Sequence, residues 1–162
     1  MSIQKKIIGL TLKMLLGSEL AVAADFDKGK KAYDSNDGVT ALLEFMPLAE
    51  EGHIDAQFWL GNMFDWGTAV EKNSKTAVKW WDKAARQGHA MAQLNLGFAY
   101  ESGVGILTDT KRAYMWYSLA TYNGNQISNK GKEDIAEKMN LALVDEAQSM
   151  ARRCLESGYT DC

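Results

Sequence analysis

The chain has 162 residues, 46% of them apolar and 24% charged, with a net charge of −3. That is the composition of one soluble globular domain with room for a single core, not of a disordered chain. The excess of acid argues against a nucleic-acid binder, which needs surplus lysine and arginine for phosphates. No apolar run reaches the roughly 20 residues of a membrane span, and a single proline, Pro47, allows long helices.

Residues 1–23 have the layout of a secretory signal. Lys5 and Lys6 precede the apolar stretch Ile7–Leu12 and Met14-Leu15-Leu16, and Ala21-Val22-Ala23 supplies small residues before a cut after Ala23. Lys13 interrupts the apolar run and Glu19 sits before the cut, so the competing reading is an amphipathic helix at the start of a cytosolic protein. Cleavage would leave residues 24–162, with 15 basic and 20 acidic side chains.

From there the chain repeats every 36 residues. Placing 55–90 over 91–126 aligns Ala56 with Ala92, Gln57 with Gln93, Leu60 with Leu96, Gly61 with Gly97 and Gly67 with Gly103. It also aligns Lys75 with Lys111, Ala77 with Ala113, Trp80 with Trp116, Ala84 with Ala120 and Gly88 with Gly124. These are ten identities without a gap, and a fixed period of this length predicts a stacked-repeat protein. Ala41, Gly52 and Phe45 continue the phase backwards, so residues 24–54 read as a degenerate first repeat.

Each repeat reads as two helices. Ala56, Leu60, Met63 and Phe64 recur at helical spacing in helix A, which Gly67 ends, and Ala77, Trp80, Trp81 and Ala84 do so in helix B, which Gly88 closes. Gly61 and Gly97 stand inside helix A, where glycine costs about 1 kcal/mol relative to alanine. They predict close approach by helix B of a neighbouring turn. One position departs from the period. Ala69 replaces the second glycine of Gly103-Val104-Gly105, so either its loop takes a different path or a left-handed alanine costs about 1–2 kcal/mol there.

Residues 127–162 read as a C-terminal helical cap. A helix is expected over Lys130–Met139, with Asn140 as the N-cap of the next. Leu141, Val144, Ala147, Met150, Ala151 and Cys154 form an apolar stripe able to cover the open end of the last repeat. Gly158 is placed to end that helix. The only two cysteines, Cys154 and Cys162, both lie here. A reversal at Gly158 can bring them within disulfide range, and an export signal favours the bridge. Two free thiols are the alternative that suits a cytosolic protein.

The stretch Ala56-Gln57-Phe58-Trp59-Leu60-Gly61, with Phe64, Gly67, Lys75, Trp80-Trp81 and Gly88, resembles the Sel-1-like repeat, a 36-residue relative of the tetratricopeptide repeat. Ala92-Gln93-Leu94-Asn95-Leu96-Gly97, with Tyr100, Gly103-Val104-Gly105, Asp109 and Trp116-Tyr117, resembles it more closely still. The resemblance implies an all-α fold: a short right-handed superhelical solenoid of antiparallel helix pairs. It implies an adaptor for other proteins, here a non-catalytic interaction module of the bacterial envelope, periplasmic or secreted. The tail is similar to the caps that follow such repeats in secreted bacterial proteins.

The candidate binding residues follow from that architecture. Trp66 aligns with Ser102 and Phe98 with Asn62, so the repeat does not demand an aromatic at either place. In tetratricopeptide arrays the A helices line a groove that holds extended peptides, and an exposed aromatic there can anchor a partner. The expected groove residues are Asn62, Asp65, Trp66, Phe98 and Glu101. The partner is a protein or peptide, with no nucleic acid, no membrane span in the mature chain and no cofactor. The competing reading of the aromatics is scattered surface residues.

Little in the chain points to catalysis. His53 and His89 each follow a repeat-ending glycine; stacked helix pairs about 10 Å apart place them too far from one another for one zinc. Recurring turn residues are the simpler reading, and no catalytic or metal residue is expected. The acidic doublets Glu50-Glu51 and Glu133-Asp134 point to different sides of a helix. Some cysteine-containing relatives have been linked to penicillin binding, so the alternative from another class is an envelope hydrolase or a cell-wall or β-lactam-binding protein. That chemistry would want Ser-x-x-Lys on a helix, and the only instance is Ser2–Lys5, inside the signal-like segment.

Overall fold

A computed structural model describes residues 23–162; the signal-like segment 1–22 lies outside the described residues. Among the described residues there are eight helices and no strand. They are α1 (Phe26–Asp34), α2 (Gly38–Glu50), α3 (Ile54–Trp66), α4 (Ser74–Ala85), α5 (Ala90–Ser102), α6 (Thr110–Tyr122), α7 (Ile127–Ala136) and α8 (Leu141–Glu156). From α1 to α7 each helix packs on its neighbour in the chain, and α8 turns back to pack on α6 beside α7, which gives a short solenoid of antiparallel pairs. The core forms two adjoining clusters, one around Phe45, Leu60 and Met63 and one around Leu96, Trp116 and Ile135; Trp59 and Phe64 border both.

Short polar side chains start most of these helices, as the capping requirement predicts. Asp25, Asp37, Asn73, Asp109 and Asn140 each accept a hydrogen bond from a backbone N–H three residues on. The two A helices of the full repeats begin instead on histidine. His53 Nδ1 accepts from the Ala56 N–H at 3.2 Å and His89 Nδ1 from the Ala92 N–H at 3.1 Å. The histidines therefore recur as helix caps. Gly67 and Gly103, both at φ +76°, close these helices in the left-handed conformation.

The glycines inside the A helices are sites of close approach. A Cβ on Gly61 would lie 2.5 Å from the Trp81 ring, and one on Gly97 would lie 2.5 Å from the Tyr117 ring. The partner in each case is helix B of the same repeat, not of a neighbouring turn. Gly29 meets Phe45 in the same way, at 2.7 Å. The α1–α2 connection spans only residues 35–37, against 67–73 and 103–109 in the full repeats. The first pair thus keeps the glycine–aromatic contact with a loop four residues shorter.

Ala69 takes the path of its glycine counterpart rather than a different one. Its φ is +59°, against +75° at Gly105. Gly38 lies opposite: a Cβ there would be 2.8 Å from Thr68 Cγ2 and 3.2 Å from Ala69 Cβ. Room for the Ala69 methyl comes from the missing side chain at Gly38.

A buried amide recurs with the period. Gln57 Nε2 donates to the Ala49 carbonyl at 3.1 Å, and Gln57 Oε1 accepts from Gln87 at 2.7 Å. Gln93 Nε2 donates to the Ala85 carbonyl at 3.0 Å, and its Oε1 accepts from Asn123 at 2.8 Å. Each glutamine binds the end of the preceding helix B to the end of its own. Paired at both atoms, it can sit in the core without the penalty of an unsatisfied amide.

The cap differs from expectation in two respects. The helix expected over Lys130–Met139 runs over Ile127–Ala136, because Asn125 Oδ1 accepts the Ser128 N–H at 3.2 Å and starts it early. Leu141 is 89% exposed and leaves the apolar stripe; as the first residue of α8 it projects beyond the last repeat, while Ala147, Ala151 and Cys154 are buried. Cys154 and Cys162 are joined, with Cα atoms 4.8 Å apart. Gly158 and Tyr159, both at positive φ, make the reversal. The Tyr159 ring packs on Gly88 and its hydroxyl donates to Asn123 Oδ1 at 3.0 Å, so the tail lies along the ends of α4 and α6.

Candidate functional site

A groove of about 510 Å³ runs across α3, α5 and α7. Asn62, Asp65 and Trp66 line it from α3, Leu94, Asn95 and Phe98 from α5, and Ile127, Lys130 and Gly131 from α7; Trp81 and Tyr117 form its back. The volume matches sites that hold a few side chains. Trp66 is 65% exposed and Phe98 57% exposed. Ile127 is exposed on the α7 side.

The back of the groove follows from the repeat. Trp81 and Tyr117 stand at equivalent positions on α4 and α6 and reach the groove because Gly61 and Gly97 leave the helix surface open beneath them. Gly131 on α7 does the same for the other side of the Tyr117 ring, where a Cβ would lie 2.9 Å away.

The five expected residues separate into two kinds. Asp65, Trp66 and Phe98 line the groove and are accessible. Asn62 also lines it but is only 5% exposed; its Oδ1 accepts from Trp81 Nε1 at 3.0 Å and from Asn95 Nδ2 at 3.3 Å. It is a floor residue that holds the indole, not a freely presented contact. Glu101 lies outside the lining. It accepts from the Tyr117 hydroxyl at 2.7 Å and from Lys138 Nζ at 2.9 Å, and so ties α5 to α6 and to the segment after α7. Its position on helix A, one turn from Phe98, is what suggested the groove. The tyrosine across from it is what turns it away.

The electrostatics agree with these roles. Burial acts to raise the Glu101 carboxyl, but the hydrogen bonds from Lys138 and Tyr117 outweigh it and hold the group below its ordinary range. The Tyr117 hydroxyl is pushed up, by burial first and then by Glu101, so it remains a donor. Lys130 on the α7 rim is bound to Asp134 at 2.9 Å. Asp65 accepts only the Ser74 hydroxyl, at 3.2 Å, and has no cation within 4 Å among the described residues. Sequence reasoning missed Leu94, Asn95 and Ile127. The last two could have been found from the Asn62–Asn95 helix register and from the unpaired apolar residue at the start of the cap.

Among the described residues no three His, Cys, Asp or Glu side chains converge as they would around a metal ion. His89 Nε2 lies 3.3 Å from Asp55, its ring stacks on Phe58, and its other nitrogen caps α5. Among the same residues no helix is long and apolar enough to cross a membrane.

Comparison with known proteins bears on the two repeats. Residues 54–89 and 90–125 each match the Sel1 repeat, so the chain carries two Sel1 repeats. A protective antigen of uropathogenic Escherichia coli displaying an SLR fold has a similar structure, with a TM-score of 0.75 and 26% identity over 81% of this chain. A Sel1 repeat protein from Oxalobacter formigenes is similar with a TM-score of 0.64 and 32% identity over 67% of this chain. The chain spans 30% and 44% of the lengths of those two proteins. No curated protein matches the chain.

Proposed function

We propose that this chain, with its two Sel1 repeats, is a non-catalytic protein-interaction module of the bacterial envelope that holds a peptide or protein segment in the α3–α5–α7 groove. The observation that carries the reading is the pair Trp66 and Phe98. They come from helices of different repeats, at positions where the repeat accepts a polar residue, and both stand exposed beside one groove. Large aromatics left in water cost solubility unless a partner covers them, and they are the side chains that dominate binding energy in interfaces. Export is the companion proposal, supported by the signal-like layout of residues 1–23 and by the Cys154–Cys162 pair, which an oxidising compartment preserves.

The test is capture from envelope extract by the wild type and by a Trp66→Ala/Phe98→Ala double variant. A partner held by the wild type should bind the variant more weakly by about 1–4 kcal/mol for each anchor. The melting temperature should be unchanged, because neither side chain belongs to the core. A variant that melts several degrees lower and binds normally would show both to be structural.

A further inference from the structure

We propose that the groove floor reads the backbone of an extended peptide through two neighbouring side-chain amides, Asn62 on α3 and Asn95 on α5. This deepens the groove reading above and rests on it. The argument begins with Trp81, whose indole N–H can only donate. The Asn62 atom facing it at 3.0 Å must therefore be the oxygen. The Asn95 atom 3.3 Å from that same oxygen must then be the nitrogen, since two carbonyl oxygens would repel. One indole thus fixes the orientation of both amides.

Each amide is left with one unused half. The Asn62 NH2 has no acceptor among the described residues and the Asn95 oxygen has no donor. Asn62 is 95% buried as a residue and lines the groove, and its unpaired NH2 is not fully enclosed, so the donor can be reached from the groove. A donor and an acceptor side by side, on adjacent helices, match the carbonyl and the N–H of an extended backbone, much as the edge of a sheet does. Neither residue has an asparagine at the equivalent position of the other repeat: Phe98 replaces Asn62 and Trp59 replaces Asn95. The pair therefore exists once, at this groove.

The surroundings define the occupant. Trp66 and Phe98 offer apolar faces to one side chain of the segment. Asp65, beside Trp66, has no cation, while Lys130 opposite is already bound to Asp134. The occupant is accordingly an extended peptide with an apolar residue next to a lysine or arginine.

The experiment selects a phage-displayed library of random 12-residue peptides on the purified protein. Enriched peptides should carry a basic residue beside an apolar one and should lose binding to Trp66→Ala. One of them is then synthesised with successive backbone amides replaced by esters. A single ester should weaken binding to the wild type about 5-fold, the size of one hydrogen bond, and that penalty should vanish in Asn95→Ala. Asn62→Asp, which keeps an oxygen for Trp81 but removes the donor, should show the same loss; if it does not fold, Asn95→Ala alone decides. An ester penalty equal in wild type and Asn95→Ala overturns the backbone reading and leaves the groove standing. Peptides indifferent to Trp66→Ala, or no enrichment at all, overturn both. Enrichment without basic residues overturns the assignment to Asp65.

Discussion

Two corners of the solenoid share a left-handed loop residue and are packed differently around it. At the first, the loop residue is Ala69 and the helix start facing it is Gly38. At the second, 36 residues on, the loop residue is Gly105 and the helix start is Ser74, whose carbonyl oxygen would lie 2.4 Å from a Cβ on Gly105. Both loop residues have positive φ. At the first corner the helix drops its side chain and leaves room for the loop methyl; at the second the helix backbone itself closes on the loop and leaves room for none. What the period conserves at this place is the left-handed turn, not the identity of either residue.

Breaking what the two repeats share should do the most damage. Gly61→Leu and Gly97→Leu drive a branched side chain into Trp81 and Tyr117, and neither variant should yield folded protein by circular dichroism. Breaking only the second corner comes next. Gly105→Ala should cost about 2–5 kcal/mol in urea unfolding, combining a left-handed alanine with a clash against backbone that cannot move aside.

A smaller test separates the two histidine caps. His53 is exposed, whereas His89 is half-buried and stacked on Phe58. Burial lowers the His89 pKa; the Asp55 carboxylate, the charged group facing it, opposes this without reversing it. The fold therefore prefers the neutral ring. Its contribution is complete above the ordinary imidazole range and is lost as pH falls through the lowered value, when Nδ1 gains a proton and can no longer accept from Ala92. Unfolding at pH 7.5 and pH 5 should differ by about 0.5–2 kcal/mol through this cap. His89→Asn, which caps without titrating, should remove that part of the difference. The smallest effect has the opposite sign: Ala69→Gly should stabilise by at most about 1 kcal/mol, since it relieves the left-handed alanine and loses only a methyl contact.

Much of the fold was legible because repetition displays the core directly. Gly61 with Trp81 and Gly97 with Tyr117 recur in phase, and so do the apolar positions around them. The start of α8 was legible from Asn140, a residue whose capping chemistry is local. The start of α7 was not, because the cap that shifts it, Asn125 to Ser128, competes with other polar residues nearby on equal terms. Leu141 could be placed on the stripe by spacing but not buried, since spacing does not reveal where the covered surface ends. Of the site, Trp66 and Phe98 stood out as breaks in the period. Spacing puts Asn62 and Glu101 on the same groove face, but the residues that claim them, Trp81 and Tyr117, lie 19 and 16 positions away on another helix, beyond what spacing shows.

The glutamine ladder bears on how the molecule comes apart. A stack whose units meet only through apolar faces can lose its end units one at a time, with each unit melting according to its own stability. Here Gln57 and Gln93 each hold a carbonyl of the preceding unit and an amide of their own, and Tyr159 carries the chain of bonds on to the tail through Asn123. Separating either full repeat from the unit before it strands a buried glutamine with half its bonds broken, a cost that comes before the freed chain gains much entropy. Fraying is thereby disfavoured at each junction from α2 to the disulfide-closed end, and a single unfolding transition is the expected outcome.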